Sequence, residues 1–325
     1  MQRRDFITLL GGAAAAWPLA TQAQQGARAQ QSEQIRRVGV LTNYPKNDLE
    51  EQRRLAALKT RFQELGWVDG RNLRIDVYFA GERAAMAAAE LVASAPEAII
   101  STTSTTARSL PDATTSIPIV SAVTGDPIAL GFTTNMSKPT GNITGFTTFN
   151  DTVAAKRLQL LREMVGTVRK VALMWAPANP QQLHLEKQTE AAAKTLGIEL
   201  VSLPLKSGSD IAPALAKAEL ERAEALVVAA DPLTLDGCIS RGLPAMHSFV
   251  FETRDGALMA YGIDLLDNYR RAADYIDHIF RGAKIADLPF QEPTRLTLSI
   301  NLRTARSIRI TVPRTLLARA DEVIE

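Results

Sequence analysis

The residues best suited to chemistry in this sequence stand directly after short apolar runs, and they carry hydroxyl, amide, carboxylate or aromatic groups. Threonine hydroxyls and the free amides of a helix start hold a carboxylate. Aspartate accepts charge-assisted hydrogen bonds from an ammonium group, and tyrosine or tryptophan stacks on a planar or cationic group. This combination suits an amino-acid-like zwitterion. The candidate ligand-binding residues are Asn43, Tyr44, Thr102, Thr103, Thr105, Asp126, Trp175, Asn179, Asp231 and Tyr261.

Every candidate also has a purely structural explanation. Asp126 and Asp231 each precede a proline, and aspartate in that position is a common helix N-cap. A threonine cluster after a strand serves equally well to cap a helix. Trp175 suits packing beneath its own loop as well as stacking on a ligand. Both interpretations stay open at the level of sequence.

Motifs of catalysis and cofactor binding are missing from the sequence. No Gly-x-Gly-x-x-Gly follows a predicted strand, and Gly-x-x-x-x-Gly-Lys-Ser/Thr, His-Glu-x-x-His and Gly-x-Ser-x-Gly do not occur. A single cysteine and three dispersed histidines argue against a zinc site. We therefore predict a protein that is not an enzyme and that binds no metal and no cofactor.

The N-terminus predicts export from the cytoplasm. Arg3 and Arg4 precede a short apolar run, and 21–23 form a small-x-small end, so 1–23 is predicted to be a cleaved signal peptide. The run is shorter than the ~20 residues that span a bilayer. The two arginines favour the twin-arginine route, with general secretory export as the alternative. Residues 24–35 lack periodicity and are predicted to be a disordered leader, which places the mature protein in the periplasm.

The mature chain is almost neutral. Removing two arginines and one aspartate with 1–23 leaves 35 basic and 34 acidic residues, a net charge of +1. A balance of this kind gives no reason to expect nucleic acid or an anionic membrane as a partner. We expect a monomer whose partner is a small-molecule ligand.

Short β-branched runs alternate with longer amphipathic stretches, and this alternation occurs twice. Such alternation predicts an α/β fold of two Rossmann-like lobes with parallel sheets. Elements after 258 are expected to cross back and make a multi-strand hinge. Lobe one is predicted to comprise 36–147 plus about 259–290, and lobe two 148–258 plus about 291–325. The matching segments are 36–41 with 169–174, 64–67 with 195–198, 97–100 with 224–227, and 117–118 with 243–244.

Several segments resemble those of ABC-transporter substrate-binding proteins of Gram-negative bacteria. These segments are the signal sequence at 3–19, Gly125-Asp126-Pro127, the run 138–145, Ala155-Lys156-Arg157-Leu158, and the C-terminal runs 300–305 and 311–325. The resemblance implies a type I periplasmic-binding-protein fold, a ligand closed between two lobes, and a membrane permease of an ABC importer as partner. Some members of the family bind tryptophan or other aromatic amino acids. A ligand-sensing protein of a signalling system and a periplasmic α/β enzyme are the alternatives.

One segment departs from the family's pattern. Between Asp231 and Pro244, where the family usually carries a longer helix, this sequence is shorter by about two helical turns at 3.6 residues per turn. The segment also contains Cys238, the only cysteine. We expect this shortening to change how lobe two packs and where Asp231 lies.

Overall fold

The computed structural model describes residues 35–148, 153–178, 180–229, 242–293 and 295–325. The predicted signal peptide, leader residues 24–34, Asn179, Asp231 and most of the shortened segment lie outside the described residues. Within the described ranges, no helix combines the length and the apolar character needed to cross a membrane.

The first half of the chain forms a five-stranded parallel sheet in the order β2-β1-β3-β4-β5. The three central strands β1, β3 and β4 are mostly buried because helices cover both faces of the sheet, whereas the edge strand β2 is half-exposed. The strands are β1 (Arg36–Thr42), β2 (Leu73–Phe79), β3 (Ala98–Ser101), β4 (Ile119–Thr124) and β5 (Ile143–Thr147), and the helices between them are α1 (Leu49–Glu64), α2 (Ala84–Ala93) and α3 (Ser104–Ser109).

The second half forms a seven-stranded sheet in the order β12-β11-β10-β9-β8-β6-β7, parallel except where β10 meets β11. Its strands are β6 (Lys170–Trp175), β7 (Glu199–Pro204), β8 (Ala225–Val228), β9 (Ala245–His247), β10 (Met259–Ile263), β11 (Leu296–Asn301) and β12 (Glu322–Ile324). Its helices are α4 (Val153–Val165), α5 (Pro180–Leu196), α6 (Ile211–Leu220), α7 (Phe251–Arg254), α9 (Leu302–Ser307) and α10 (Arg314–Leu317), with 3₁₀ turns at Gly208–Asp210 and Ile285–Asp287. The predicted α/β class with two mainly parallel sheets is confirmed.

The border between the lobes differs from the predicted position at 259. Strand β10 pairs with β9 and β11, so 259–263 belong to the second sheet. Helix α8 (Leu265–Phe280) is the element that returns, and it buries Tyr269, Ala273 and Ile276 in the core beside β1 and β3. The apolar pattern of a short strand does not specify its hydrogen-bonding partner, and the partner decides the lobe.

The chain passes between the two sheets three times: from β5 to α4, from β10 to α8, and from α8 to β11. The last passage is attached to β5, because the Gln291 amide donates to the Gly145 carbonyl at 2.9 Å and the Thr147 amide donates to the Gln291 carbonyl at 2.9 Å. Asp264 and Arg295 join the last two passages through an amide-to-carbonyl bond of 3.5 Å. The connection is thus a hinge of several strands.

Candidate functional site

Polar side chains end the strands of the first sheet along one edge. Asn43 follows β1, Thr102 follows β3, and Thr124 and Thr147 close β4 and β5. The buried Oδ1 of Asn43 and the buried Oγ1 atoms of Thr124 and Thr147 have no hydrogen-bond partner in the described part of the chain. Most buried polar groups in proteins are paired, so unpaired atoms at the carboxyl edge of a parallel sheet indicate a place for a polar ligand.

A charged network lies behind this edge, at the start of α1. Glu51 and Arg54 are both buried, with Arg54 Nη1 3.4 Å from Glu51 Oε2. The Tyr269 hydroxyl of α8 donates to the same carboxylate oxygen at 2.7 Å. The guanidinium carbon of Arg54 lies 5.2 Å from the centre of the Tyr44 ring. Tyr44 is therefore supported on one side by a fixed cation.

Burial governs the protonation of this network. It raises the pKa of Glu51 above its ordinary value, although the Tyr269 hydrogen bond and the Arg54 charge act in the opposite direction. Burial likewise raises the pKa of Tyr44 and of Tyr269. Both phenols consequently stay protonated at neutral pH and present donors rather than anions.

The threonines after β3 have different environments. Thr103 caps α3: its hydroxyl accepts from the Thr106 amide at 3.3 Å, and the Thr106 hydroxyl accepts from the Thr103 amide at 3.2 Å. Thr105 is exposed and Thr102 is buried. Ser104 Oγ accepts from the Gly125 amide at 3.1 Å, which draws the ends of β3 and β4 together.

Asp126 is exposed at the turn after β4. Its Oδ1 accepts from the amides of Ile128 at 2.9 Å and Ala129 at 3.1 Å. One carboxylate oxygen therefore holds the turn, as the helix-cap interpretation predicted, and the exposed position leaves the group accessible to a second partner.

Trp175 and Tyr261 are the candidate residues of lobe two that the structure describes, and both make close contacts within that lobe. Trp175 is 7% exposed within the lobe-two core, and its indole N–H donates to Ser202 Oγ at 2.8 Å. Tyr261 is half-buried against the same core, and its carbonyl accepts from Arg157 Nε at 2.7 Å. Trp175 thus packs as the structural interpretation predicted.

Two aromatic residues after β9 lie beside α1 of lobe one and were not among the candidates from the sequence. The rings of Phe249 and Phe251 stack with centroids 5.5 Å apart, and the Phe251 ring lies 5.0 Å from Arg54 across the cleft. Glu252 fixes this loop, because its Oε2 accepts from the Phe249 amide at 2.7 Å and its Oε1 lies 3.1 Å from His247 Nδ1. The signal available in the sequence was an aromatic pair directly after an apolar strand.

A buried arginine holds the same loop against the hinge. Arg157 of α4 donates from Nε to the Tyr261 carbonyl at 2.7 Å and from Nη2 to the Ser248 carbonyl at 3.3 Å. Burial lowers the pKa of Arg157 to about 10, so it remains a cation at neutral pH. The start of α4, the loop after β9 and the end of β10 are joined by this one side chain.

Comparison with known proteins identifies the architecture. A family model described as "ABC transporter substrate binding protein" matches residues 53–324. The chain belongs to this family. A curated relative of this substrate-binding protein is the tyrosine-binding protein of Clostridioides difficile, which is 21% identical over 291 residues, covering 85% of this chain and 82% of the relative.

Two solved structures share the fold of this substrate-binding protein. A conserved domain protein from Vibrio cholerae has a TM-score of 0.78 and 23% identity, with 89% of this chain and 100% of that chain covered. An ABC domain from Streptococcus pneumonia in complex with L-Trp has a TM-score of 0.77 and 23% identity, with 89% and 99% covered. The type I periplasmic-binding-protein fold that the sequence motifs implied is confirmed.

Proposed function

We propose that this substrate-binding protein is the periplasmic component of an ABC importer and holds a small organic solute, an amino acid or an aromatic compound, between its lobes. The observation that carries the proposal is the row of buried, unpaired polar atoms on Asn43, Thr124 and Thr147 at the carboxyl edge of the first sheet. Burying a polar atom without a partner costs free energy, and a bound polar solute removes that cost.

The chemistry of the edge favours a ligand with both polar and planar parts. Amide and hydroxyl groups at Asn43, Thr102 and Thr124 hydrogen-bond a polar head. The ring of Tyr44, with Arg54 behind it, offers an aromatic face from lobe one. Relatives described as binding tyrosine and L-Trp support the aromatic amino-acid class.

The ten candidate residues differ in whether their surroundings favour contact with a ligand. Those whose surroundings favour ligand contact are Asn43, Tyr44 and Thr102, and Asp126 is added as the partner of an ammonium group. Thr103 and Trp175 are engaged by their own lobes, so their contribution is to position the site. The exposed Thr105, the half-buried Tyr261, and Asn179 and Asp231 complete the proposed set.

The proposed mechanism is hinge closure, without chemical change of the solute. The solute docks on the edge of lobe one, lobe two closes over it, and the membrane permease recognises the closed monomer. Closure is stabilised only by contacts that reach both lobes at once. Three connecting passages allow such motion because each one deforms slightly.

Thermal unfolding of the mature chain, lacking 1–23, against a solute panel tests this function. The panel contains aromatic and other amino acids, purines, thiamine-like pyrimidines and small acids. A ligand at about 1,000 times its dissociation constant adds about 4 kcal/mol to the free energy of unfolding. We expect at least one aromatic or amino-acid solute to raise the melting temperature.

The control is a pair of variants. Asn43→Ala combined with Thr124→Val removes the proposed contacts and is expected to abolish the shift. Thr195→Val alters an exposed helical threonine and is expected to keep it. A flat panel with the wild-type chain, or an equal shift in both variants, contradicts the proposal.

A further inference from the structure

Two helices from different lobes meet beside the candidate site. Glu50 and Arg54 lie one turn apart on α1, and Phe251 and Arg254 lie one turn apart on α7. Arg254 Nη1 is 3.2 Å from Glu50 Oε2 and 3.3 Å from Glu50 Oε1. The guanidinium carbon of Arg54 lies 5.0 Å from the centre of the Phe251 ring. Each helix therefore supplies one arginine that contacts the helix of the other lobe: Arg254 contacts Glu50, and Arg54 contacts Phe251.

Each helix is fixed to its own lobe. Helix α1 buries Leu55, Leu58 and Phe62 in the core of lobe one. Helix α7 is fixed to lobe two, because the Thr253 and Ser299 hydroxyls are 2.6 Å apart and the Asn301 side-chain amide donates to the Thr253 carbonyl at 2.8 Å. The contacts between α1 and α7 consequently exist only while the two lobes are together.

Both arginines are held in place by their own lobe. Arg254 donates to Glu322 of lobe two from Nε at 2.8 Å and from Nη2 at 3.0 Å. Arg54, 2% exposed, rests between Glu51 and the Tyr44 ring of lobe one. Side chains that are ordered before the lobes meet lose little freedom on contact, which makes the contacts more favourable.

We propose that Glu50, Arg54, Phe251 and Arg254 form an interlobe clasp, which stabilises the closed arrangement of the unliganded protein and so sets ligand affinity without binding the ligand. A ligand that needs the closed form binds in proportion to the fraction already closed. A stronger clasp therefore raises the equilibrium affinity for the ligand. The inference rests on the hinge closure of the proposed function.

The solution dimensions of the unliganded mature chain test the clasp. Small-angle X-ray scattering compares the wild type with Glu50→Gln and with Glu50→Gln/Phe251→Ala. Glu50→Gln removes the interlobe ion pair with Arg254 and the pair with Arg53 on the same helix. It leaves the bonds from Arg254 to Glu322 intact. We expect the radius of gyration to rise in the order wild type, single variant, double variant. The double variant is expected to lower the ratio of closed to open molecules by about fivefold to tenfold.

A matched control breaks an ion pair that does not cross the lobes. Arg270 Nη2 lies 2.9 Å from Glu64 Oε2, and both residues belong to lobe one. Arg270→Gln is expected to leave the radius of gyration unchanged. Cooperative thermal unfolding of every variant shows that any expansion reflects opening of the lobes and not loss of the fold.

The outcomes separate the clasp from the proposed function. Equal radii of gyration for the wild type and a cooperatively folded double variant overturn the clasp, even where a solute from the panel stabilises both proteins. Expansion of the double variant supports the clasp, even where no solute in the panel binds and the proposed function fails. Expansion of Arg270→Gln to the same extent overturns the clasp, because the effect is then not specific to interlobe contacts.

Discussion

Asn43 and Thr103 follow neighbouring strands of the first sheet, yet their side chains are occupied differently. Asn43 keeps a buried carbonyl oxygen without a partner among the described residues, whereas Thr103 uses its hydroxyl to cap α3. Asp126 lies between these extremes, since one of its oxygens holds a turn. A side chain that already makes hydrogen bonds within its own lobe is less available to a ligand.

Asp126→Asn separates the two roles of this residue. Asparagine keeps the side-chain oxygen that accepts from Ile128 and Ala129, so the free energy of unfolding should change by less than ~0.5 kcal/mol. Loss of the charge should weaken binding of an ammonium-bearing solute by about tenfold or more, because hydrogen bonds to charged groups contribute ~1.5–3 kcal/mol. Titration calorimetry with a solute found in the panel measures the affinity, with the exposed Asp112→Asn as control. Unchanged affinity would remove Asp126 from the site.

Helix α8 is the element that makes lobe one complete, although it follows most of lobe two in the chain. Its apolar stripe enters the lobe-one core, and Tyr269 reaches Glu51 on α1. Near its end, Asp277 accepts from the Trp67 indole at 2.8 Å and from Arg281 Nε at 2.8 Å. Side-chain hydrogen bonds near both of its ends therefore fix α8 to the rest of lobe one.

The Asp277 contacts predict a dependence of stability on pH. Burial acts to raise the pKa of Asp277, but the hydrogen bonds from Arg281 and Trp67 outweigh it, so the pKa lies below its ordinary value. A depressed carboxyl pKa contributes stability that is fully present above the unfolded-state value, ~3.9, and is lost as pH falls through the folded-state value. In urea unfolding between pH 3 and 7, Asp277→Asn should lower stability by about 1–3 kcal/mol at pH 7 and by less at pH 3. An equal loss at both pH values would show that the carboxylate charge is irrelevant.

At the scale of the whole molecule, the backbone is closely packed near the point where the chain crosses from lobe two to lobe one. Gly262 lies in β10, one residue before this strand ends and the chain crosses to lobe one, and a Cβ there would lie 1.9 Å from the Ser248 carbonyl oxygen. Arg157 donates to that same carbonyl and to the Tyr261 carbonyl. The end of β10, the loop after β9 and the start of α4 thus share one crowded position.

Gly262→Ala is expected to destabilise the protein by more than ~3 kcal/mol, because the obstructing atom belongs to the backbone and cannot rotate away. Gly208→Ala is the matched control, since no atom lies within 4 Å of its added Cβ, and its effect should stay within ~1 kcal/mol. Urea unfolding of the two variants measures the difference. Similar stabilities would mean that the backbone at Ser248 yields easily and that the hinge is not rigid there.

Local sequence patterns determined the α/β class with mainly parallel sheets, and they predicted two similar halves and the edge that carries the candidate site. Each of these follows from neighbours in the chain: apolar runs form buried strands, amphipathic runs form helices, and polar residues after parallel strands collect at one edge. The sequence could therefore locate Asn43, Tyr44 and Thr102 after their strands, while their contact with a ligand stays a prediction. It also predicted a return to lobe one after 258, but the return begins only after β10 ends at Ile263.

Tertiary structure alone decided which lobe β10 joins, where Trp175 points and which residues meet between the lobes. Buried parallel strands are apolar on both faces, so their sequence does not show which face of the sheet a residue such as Trp175 occupies. The contacts of Arg254 with Glu50 and of Tyr269 with Glu51 join residues more than 200 positions apart. Such contacts depend on how whole elements pack, and local periodicity carries no information about them.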